Sequence, residues 1–309
     1  MKIGIIGAGA MGSVYAALLA EAGHEVHVVD IWPEHVRAIR EHGLSLSGAS
    51  GERTVDAIRA HSTAGEIGVC DHVIISTKLS GVEQAARSAQ EISDGSTAIL
   101  TIQNGLGSAE RAASVLGGEN LMLGVAEGFG ASIRAPGHAH HNSMSLIRLG
   151  EMSGGTSDRL RTIAEVWQDA GFTVRVFEDI DRLIWEKFVC NVAFSGPCTV
   201  LDMTIGELMA DRHAWPIAVA CAREAYLAGR ARGIRFGFDD VETYIAEFGR
   251  RMPRARPSML LDHRSRRHSE IEAINGMVPV VAAETGTEAP FNELISAIVR
   301  SRESRFTSP

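Results

Sequence analysis

The sequence predicts an α/β protein of two domains, in which a doubly wound parallel sheet precedes an all-α domain. Three observations support this fold class. A glycine-rich turn joins the first apolar strand to a helix, strands and helices then alternate up to Phe177, and only helical patterns follow Glu178. Such alternation is typical of parallel sheets that are covered by helices. We therefore expect domains over residues 1–178 and 179–309.

A strand, a glycine-rich turn, a helix and a second strand follow one another at the N-terminus. The apolar strand 2–6 leads directly into Gly-Ala-Gly-Ala-Met-Gly at 7–12, a helical pattern covers 13–22, and a strand over 25–29 ends in Asp30. A lone GxGxxG is weak evidence, but this order of elements is the context in which the motif binds a dinucleotide. That context disfavours the alternative, a glycine-rich turn without a ligand. We expect a Rossmann-type cofactor site.

Each glycine of this turn has its own predicted role. Gly7 allows the tight turn from strand to helix, Gly9 lets the backbone approach a pyrophosphate, and Gly12 lets the helix pack closely on the strand. The helix N-terminus offers free N–H groups and a partial positive charge to the phosphates. The cofactor-binding residues predicted in this turn are Gly7, Ala8, Gly9, Ala10, Met11 and Gly12.

Asp30 bears on the choice between NAD and NADP. Its carboxylate can accept hydrogen bonds from both ribose hydroxyls of NAD and would repel the 2′-phosphate of NADP. The next three residues, Ile31, Trp32 and Pro33, provide no cation, and the nearest arginine is Arg37. Asp30 therefore favours NADH, unless another loop brings a cation to this position.

Two polar residues follow later strands of the predicted sheet. Lys78 ends the strand pattern 71–78, and Asn104 comes just after the strand pattern 97–102. Ligands of doubly wound sheets lie outside the carboxyl ends of the strands. We therefore expect Lys78 and Asn104 to lie near the cofactor.

The remaining patterns complete the two domains. In the first, we expect helices over 82–92 and 160–170, strands over 121–125 and 173–177, and antiparallel strands at the sheet edge within 128–150. In the second, we expect helices over 181–194, 205–232, 241–250, 260–283 and 291–302. The cleft between the domains is the expected active site, because pockets occur preferentially at domain interfaces.

One helix of the second domain carries polar residues at four-residue spacing. Lys187 and Asn191 share a face, and Ser195 follows one turn later, just before Gly196-Pro197, where the helix is expected to end. On spacing alone, a structural interpretation of Lys187 is favoured, in which its stem packs and its ammonium reaches water. A structural interpretation is equally available for Glu270, which has several basic neighbours and would then be a solvated residue on a helix.

Composition disfavours several functional classes. The 309 residues include 30 basic and 38 acidic ones, so a general role on nucleic acid or on an anionic membrane is not expected. No apolar run is long enough to cross a bilayer. The cysteines form neither a CxxC pair nor a metal-ligand spacing, which favours idle thiols in a reducing cytoplasm. They are Cys70, Cys190, Cys198 and Cys221.

Two further clusters receive little weight. His138 and His140 would share a strand face, with His141 beside them, but no Glu or Cys at ligand spacing accompanies them and we expect no metal. A basic stretch has three interpretations: a nucleic-acid surface, a site that attracts an anionic substrate, or a solvated face. The net acidity of the chain favours the last two. The stretch consists of Arg250, Arg251, Arg254, Arg256, Arg264, Arg266 and Arg267.

Short motifs recur along the chain in one characteristic order. They are the N-terminal GAGAMG, Thr77-Lys78, Gln103-Asn104-Gly105, Trp185-Glu186-Lys187 with Asn191, Pro257-Ser258-Met259-Leu260-Leu261-Asp262, Ser269-Glu270-Ile271-Glu272 and Ile274-Asn275-Gly276. In order and spacing, the whole chain resembles the ketopantoate reductase family (2-dehydropantoate 2-reductases). The set is far more specific than any one motif.

The resemblance implies an NAD(P)H-dependent oxidoreductase that acts on a CH–OH group. It implies a small 2-oxo acid as the substrate, foremost 2-dehydropantoate (ketopantoate), which would be reduced to pantoate in pantothenate biosynthesis. NADPH is the usual cofactor of the family. The resemblance also implies a helical domain like the C-terminal domain of 6-phosphogluconate dehydrogenase and, by analogy alone, a homodimer formed through that domain.

The resemblance assigns roles to individual residues. Lys187 matches the lysine that protonates the keto oxygen, and Glu270 matches the glutamate that holds the lysine or the cofactor amide. Asn104 matches an asparagine at the junction of cofactor and substrate, and Lys78 a lysine that lines the cofactor cleft. Asn191 and Ser258 match substrate hydrogen-bonding positions.

Three positions depart from the family pattern. Ser195 stands where a second asparagine is common on the helix of Lys187, and Ile205 stands where a substrate-binding asparagine is common before Gly-Glu-Leu. A pocket that loses a hydrogen-bonding partner loses discrimination for a substrate hydroxyl. Together with Asp30, these departures suggest a relative that reduces a different 2-oxo acid with NADH.

Three functional hypotheses therefore remain open. The first is reduction of a 2-oxo acid, in which Lys187 delivers a proton to the carbonyl oxygen as hydride reaches the carbon. The second is the reverse reaction, an NAD-dependent dehydrogenation of a 2-hydroxy acid. The third is a non-catalytic dinucleotide-binding regulator, which the retained Lys187, Glu270, Asn104 and Asn191 disfavour.

Overall fold

Strands of the N-terminal half assemble into two sheets. The computed structural model describes residues 1–128 and 130–306. Its strands are β1 (Lys2–Ile6), β2 (Glu25–Val29), β3 (Leu44–Gly48), β4 (Arg53–Val55), β5 (Arg59–His61), β6 (His72–Ile75), β7 (Ala98–Thr101), β8 (Leu121–Glu127), β9 (Gly130–Ala135), β10 (His138–Ser143), β11 (Leu146–Glu151) and β12 (Val174–Val176).

The larger sheet has the order β12-β11-β8-β7-β6-β1-β2-β5. Its strand pairs are parallel except for β8 with β11, which run antiparallel. The helices of this half are α1 (Ala10–Glu21), α2 (Pro33–His42), α3 (Val82–Glu91), α4 (Ser108–Leu116) and α5 (Asp158–Asp169). The predicted doubly wound α/β class is confirmed.

The smaller sheet corrects one prediction. Antiparallel strands were expected within 128–150 at the edge of the main sheet. Instead β9 and β10 pair with each other and join β3 and β4 in a separate sheet of order β4-β3-β10-β9, while β11 alone joins the main sheet. Polar residues interrupt the short strands β3 and β4, and β3 pairs with the distant β10, so periodicity did not reveal these strands.

The smaller sheet explains the composition of α1. This helix is apolar on all sides and is buried over most of its length, from Gly12 to Ala20. It packs against β1 and β2 on one side and against β3, β9 and β10 on the other. A helix that is covered on all sides has no polar face to maintain. Tyr15 on α1 packs against the buried Trp167 of α5, with ring centroids 5.0 Å apart.

His72 links two parts of this core through both ring nitrogens. Its Nδ1 lies 2.8 Å from the carbonyl of Ala98, and its Nε2 accepts the indole N–H of Trp167 at 3.2 Å. A ring that donates from Nδ1 and accepts at Nε2 must be neutral. Burial, which disfavours the charged form, lowers the pKa of His72 to about 4.

This low pKa predicts a specific loss of stability in acid. The unfolded chain takes up a proton near pH 6.5, whereas the folded chain resists it down to about pH 4, so stability is complete above pH 6.5 and declines below it. We expect His72 to account for about 2 kcal/mol of the fall in unfolding free energy between pH 7 and pH 5.

Urea unfolding at the two pH values measures this contribution. His72→Gln should show a smaller fall than the wild type, and the exposed His42→Gln should show the wild-type fall. An undiminished fall in the His72 variant would contradict the assignment.

The chain divides into two compact units. The first comprises Met1–Gln103 and Ser108–Ile180, and the second comprises Asn104–Gly107 and the chain from Asp181 onwards. The sequence had suggested a boundary at residues 178 and 179. The described α-helices from Ile180 onwards are α6 (Ile180–Leu201), α7 (Ile205–Ala210), α8 (Trp215–Ala231), α9 (Val241–Arg250), α10 (Ser258–Arg264), α11 (Met277–Thr285) and α12 (Pro290–Glu303).

Three helix predictions in this unit were wrong. First, α6 does not end before Gly196-Pro197 but continues to Leu201. Second, the predicted helix 205–232 is split at Asp211, whose extended backbone ends α7 and whose carboxylate accepts the N–H groups of His213 and Ala214. Third, the predicted helix 260–283 is broken between α10 and α11, where Arg266 adopts a left-handed φ of 53°.

None of the helices among the described residues is long and apolar enough to cross a membrane.

Candidate active site

The glycine turn between β1 and α1 is held by contacts that only glycine permits. Gly7 has a left-handed φ of 100° and donates its N–H to Val29 at 2.8 Å. A Cβ on Gly12 would lie 2.0 Å from the carbonyl oxygen of Gly7, an impossible contact. The hydroxyl of Ser76, at the end of β6, donates to that same carbonyl at 2.6 Å. The turn is therefore fixed to both neighbouring strands.

Gly9 faces open space at the start of α1. A Cβ built on Gly9 would meet no atom within 4 Å, and no side chain caps the helix there. The first-turn N–H groups of α1 are consequently available to an external acceptor. An uncapped helix N-terminus with an open approach fits the pyrophosphate of a dinucleotide. Ala8 is buried, and Ala10 and Met11 are half-buried around it.

Asp30 lies directly beside this turn. Its Oδ2 accepts the N–H of Ala8 at 2.7 Å, and its Oδ1 accepts the N–H of Trp32 at 2.9 Å. Each carboxylate oxygen has a second acceptor position. The side chain is half-buried, so it retains access from outside. Its geometry suits a carboxylate that accepts ligand hydroxyls next to the phosphate-binding turn.

The carboxyl ends of β6 and β7 are tied together by Gln103. Its amide donates to the carbonyl of Ile75 at 2.6 Å, and the hydroxyl of Thr101 donates to its amide oxygen. Lys78 follows β6 and is exposed, at the start of a short 3₁₀ turn over Leu79–Gly81. Sequence reasoning had noted Gln103 only as part of a motif.

Lys187 and Asn104 are brought together in the second unit. The ammonium Nζ of Lys187 donates to the amide oxygen of Asn104 at 2.7 Å. The two residues are 83 positions apart in sequence, and both are half-buried. This contact rules out a structural role in which Lys187 only extends into water. The ammonium is oriented by a neutral acceptor.

The short segment that carries Asn104 is fixed by a second contact. Leu106 donates its N–H to the carbonyl of Ala273 at 2.9 Å. Gly105 has a φ of 82°, and a Cβ there would lie 2.2 Å from the same carbonyl oxygen. Ala273 ends a 3₁₀ turn over Ile271–Ala273 that begins after Glu270. Glu270 is therefore half-buried at a turn and is not the helical residue that the sequence suggested.

The remaining candidates lie on α6 and α10. Asn191 is half-buried one turn after Lys187, and Ser195 is buried one turn further on. Lys187, Asn191 and Ser195 all lie on α6, which continues past Pro197 to Leu201. Ser258 is the first residue of α10 and is exposed.

Asn275 explains how α6 continues past Gly196-Pro197. Its amide oxygen accepts the N–H of Gly196 at 3.1 Å, and its amide nitrogen donates to the carbonyl of Val192 at 2.9 Å. A regular helix would join those two backbone groups directly. Asn275 is thus inserted into the hydrogen-bond ladder of the helix that carries Lys187.

A buried chain of polar groups holds Asn275 in turn. Its amide nitrogen also donates to Asn292 at 2.9 Å, and the amide of Asn292 donates to the buried carboxylate of Glu224 at 2.7 Å. That carboxylate accepts the backbone N–H groups of Phe291 and Asn292 as well, and so caps α12. Sequence reasoning had quoted the Ile-Asn-Gly motif without assigning it this function.

Ile205 is buried where the family pattern has a polar residue. It begins α7, is only 3% exposed, and donates its N–H to Ala255 at 3.1 Å. A Cβ on Gly249 would lie 3.1 Å from its side chain. This position therefore contributes apolar packing.

The histidines of β10 contact serines. The hydroxyl of Ser47 lies 3.0 Å from both His138 Nε2 and His140 Nδ1, on the one strand face that alternation predicts. His141 is buried, and its Nδ1 lies 3.1 Å from the hydroxyl of Ser50. Among residues 1–128 and 130–306, no group of three or more His, Cys, Asp or Glu has a metal-binding arrangement.

Two family models cover most of the chain. The model described as ketopantoate reductase PanE/ApbA matches residues 3–154, and the model described as ketopantoate reductase PanE/ApbA C terminal matches residues 179–303. A 2-dehydropantoate 2-reductase of Streptococcus pyogenes serotype M6 is 27% identical over 305 residues, with 98% of both chains covered. One from Archaeoglobus fulgidus is 28% identical over 304 residues, again with 98% of both covered.

Solved structures show the same fold. A 2-dehydropantoate 2-reductase from Geobacter metallireducens superimposes with a TM-score of 0.89 at 29% identity, covering 97% of this chain and 99% of that one. A D-mandelate dehydrogenase in a ternary structure with NADH and anilino(oxo)acetate superimposes with a TM-score of 0.91 at 26% identity, covering 99% of both. These matches confirm the predicted family resemblance.

Proposed function

Because this chain belongs to the ketopantoate reductase PanE/ApbA family, we propose that it reduces 2-dehydropantoate to pantoate with a nicotinamide dinucleotide. The chain is an oxidoreductase that acts on a CH–OH group. The observation that carries the proposal is the 2.7 Å hydrogen bond from Lys187 to Asn104. This hydrogen bond orients an ammonium group in the unit that the ketopantoate reductase C-terminal family model matches.

The glycine turn and Asp30 would hold the cofactor. The N–H groups at the start of α1 would bind the pyrophosphate, and Asp30 would accept hydroxyls of the adjoining ribose. Support comes from the open approach at Gly9 and the backbone-anchored carboxylate of Asp30. Lys78 would line the cofactor site from the end of β6. A bound reduced nicotinamide supplies the hydride that adds to the substrate's carbonyl carbon.

Lys187 would act as the general acid. Negative charge builds on the carbonyl oxygen as the carbon is reduced, and a positioned ammonium both stabilises that charge and donates a proton. The product is a hydroxyl, and the neutral amine regains its proton from solvent. Asn104 would orient Lys187 and contact substrate and cofactor. Glu270 would hold Lys187 or the cofactor amide.

Substrate contacts would come from α6 and α10. Asn191 lies one turn from Lys187, so their side chains share a face. Ser195 and Ser258 would add neutral hydrogen bonds that orient the substrate. Ser195 takes the place of an asparagine in the family pattern, and its shorter side chain reaches less far.

The direct test is oxidation of NADH and NADPH by the purified protein in the presence of 2-dehydropantoate, followed at the absorbance band of the reduced nicotinamide. Rapid turnover with formation of pantoate is the expected result. Absence of turnover with either cofactor would overturn the proposed substrate.

Two observations favour a second candidate, reduction of another 2-oxo acid with NADH. Asp30 would suit the ribose of NADH, and the buried Ile205 stands where the resemblance implies a substrate-binding asparagine. The superimposed D-mandelate dehydrogenase structure contains NADH. Phenylglyoxylate, the 2-oxo acid that corresponds to mandelate, should then replace 2-dehydropantoate as the better substrate in the same assay.

Asp30 should determine which cofactor is preferred. We expect Asp30→Asn to lower the ratio of kcat/KM for NADH to kcat/KM for NADPH by about tenfold, because a hydrogen bond to a charged acceptor is lost and the repulsion of a 2′-phosphate is relieved. Steady-state kinetics with both cofactors measures the ratio. Glu52→Gln, an exposed acid of the same unit, is the control and should leave it unchanged. An unaltered ratio in the Asp30 variant would exclude the ribose contact.

We also propose a homodimer in the cytoplasm. The four cysteines are buried thiols that form no disulfide, and burial raises the pKa of Cys70 to about 11, as suits thiols without a redox role. Exposed apolar side chains lie on the mutually packed helices α8, α11 and α12, among them Leu227, Val280 and Leu294. Light scattering should give about twice the chain mass of 33.1 kDa.

A further inference from the structure

A cavity of about 370 Å³ lies in the helical unit, where the carboxyl ends of α6, α10 and α12 come together. Four arginines line it, two from the basic stretch near residue 265 and two from the end of the chain. The lining residues are Thr199, Asp202, Leu260, His263, Arg264, Arg266, Arg302, Arg305 and Phe306. The basic stretch is thus only part of a cluster that the fold assembles.

Two of these guanidinium groups are held in place by hydrogen bonds to backbone carbonyls. Arg302 donates to the carbonyls of Thr199 and Val200 at 2.9 and 2.8 Å. Arg266 donates to the carbonyl of Arg305 at 2.9 Å and lies 5.4 Å from the ring centroid of Phe306. A guanidinium has five N–H donors, so these contacts leave donors for a ligand. A ligand that bound here would therefore meet arginine side chains that are already ordered.

Arg264 is held by the one carboxylate among the lining residues. Its guanidinium lies 2.9 Å from Asp202, and both side chains are substantially exposed. The nearby carboxylate of Glu303 is engaged by His263, at 3.0 Å, and by Ser269. Asp262 pairs with Arg267 at 2.9 Å, outside the cavity lining.

The charge balance of the cavity is positive. Four arginines face one aspartate, which leaves three formal positive charges. Each helix carboxyl end contributes about half a negative charge, so three ends offset roughly one and a half of these. The excess remains positive in a chain whose net charge is −8. Helix capping alone therefore does not account for all four arginines.

We propose that this cavity binds a small organic phosphate. Guanidinium groups match the oxygens of a phosphoryl group in bidentate geometry, and several of them converge here. Phe306 and Leu260 provide an apolar wall for the organic part of the ligand. The volume is at the lower end for small-molecule sites, which sets the size of the ligand. The lining residues belong to the second unit and the glycine turn belongs to the first, and the proposal does not depend on the proposed reaction.

Calorimetric titration of the full chain with phenyl phosphate, and with inorganic phosphate for comparison, tests the proposal at constant ionic strength. We expect one site that binds phenyl phosphate more tightly. Arg264→Gln and Arg305→Gln should each weaken binding about tenfold, the usual weight of a charged hydrogen bond. The matched control is Arg267→Gln, which changes a neighbouring arginine that does not line the cavity and should bind as the wild type does.

Four results would overturn the proposal. Equal weakening by Arg267→Gln would show nonspecific attraction to surface charge. Loss of binding when NADH is added would place the phosphate at the glycine turn. Binding of a DNA duplex without binding of either phosphate probe would make the cluster a nucleic-acid surface. If all variants and the wild type fail to bind the probes, the site does not exist.

Discussion

Replacing Lys187 by alanine is expected to lower kcat by about 10²–10⁴-fold, the usual weight of one positioned general acid. The variant loses both the proton and the positive charge that oppose charge build-up on the carbonyl oxygen. Asn104, which accepts the Lys187 ammonium at 2.7 Å, loses its partner at the same time. Steady-state turnover of the 2-oxo acid that the wild type reduces is the measurement.

Lys187→Arg separates the two contributions of the ammonium. Arginine keeps the charge but does not release a proton in proteins, so kcat should fall between the wild type and the alanine variant. Fluorescence titration with NADH is the control, because the glycine turn lies in the other unit and cofactor affinity should change little. Near-wild-type kcat in the alanine variant would remove Lys187 from the reaction.

Replacing Asn275 by alanine is expected to lower the unfolding free energy by about 2–4 kcal/mol. The substitution removes the partners of the Gly196 N–H, the Val192 carbonyl and Asn292, and a buried polar group without its partner costs about 1–3 kcal/mol. Closure of the helix ladder would recover part of this loss. Urea unfolding measures the difference.

Asn142→Ala provides the matched control for that measurement. Asn142 is an exposed asparagine of β10, and its replacement should change stability by less than about 0.5 kcal/mol. A change of the same small size in the Asn275 variant would mean that the inserted amide contributes nothing net. A loss of the expected size would show that the amide inserted into α6 stabilises the fold.

Local sequence patterns were sufficient for the cofactor turn and for most strands of the main sheet. The residues that mark the turn in the sequence lie within about 30 positions of one another, since Gly12 packs on Gly7 and Asp30 accepts the N–H of Ala8. Strands such as β1 and β6 are continuous apolar runs because both faces of a parallel sheet are covered. Both features are therefore visible in the local sequence, although the folded turn also accepts a hydrogen bond from the distant Ser76.

Patterns failed where a distant residue overrides local propensity. Gly196-Pro197 favours a helix end. Asn275, 79 positions away from Gly196, instead pairs with the Gly196 N–H and the Val192 carbonyl. In the opposite sense, the predicted helix 260–283 is interrupted between α10 and α11, where Arg266 adopts a left-handed φ of 53°. The smaller sheet was missed since its strands are short and its two local strand pairs are joined only by β3 and β10, about 90 residues apart.

Residue types and spacing alone predicted the α/β class, the dinucleotide turn and the position of Asn104 near the cofactor. The roles of Lys187 and Glu270 came from the family resemblance, which rests on short motifs in a fixed order. Only the tertiary structure decided that Lys187 donates to Asn104, that Asn275 enters α6, and that four arginines surround one cavity. Hydrogen bonds and charge clusters between residues 40 to 100 positions apart leave no periodicity in a sequence, since they arise when chain folding brings separate helices together.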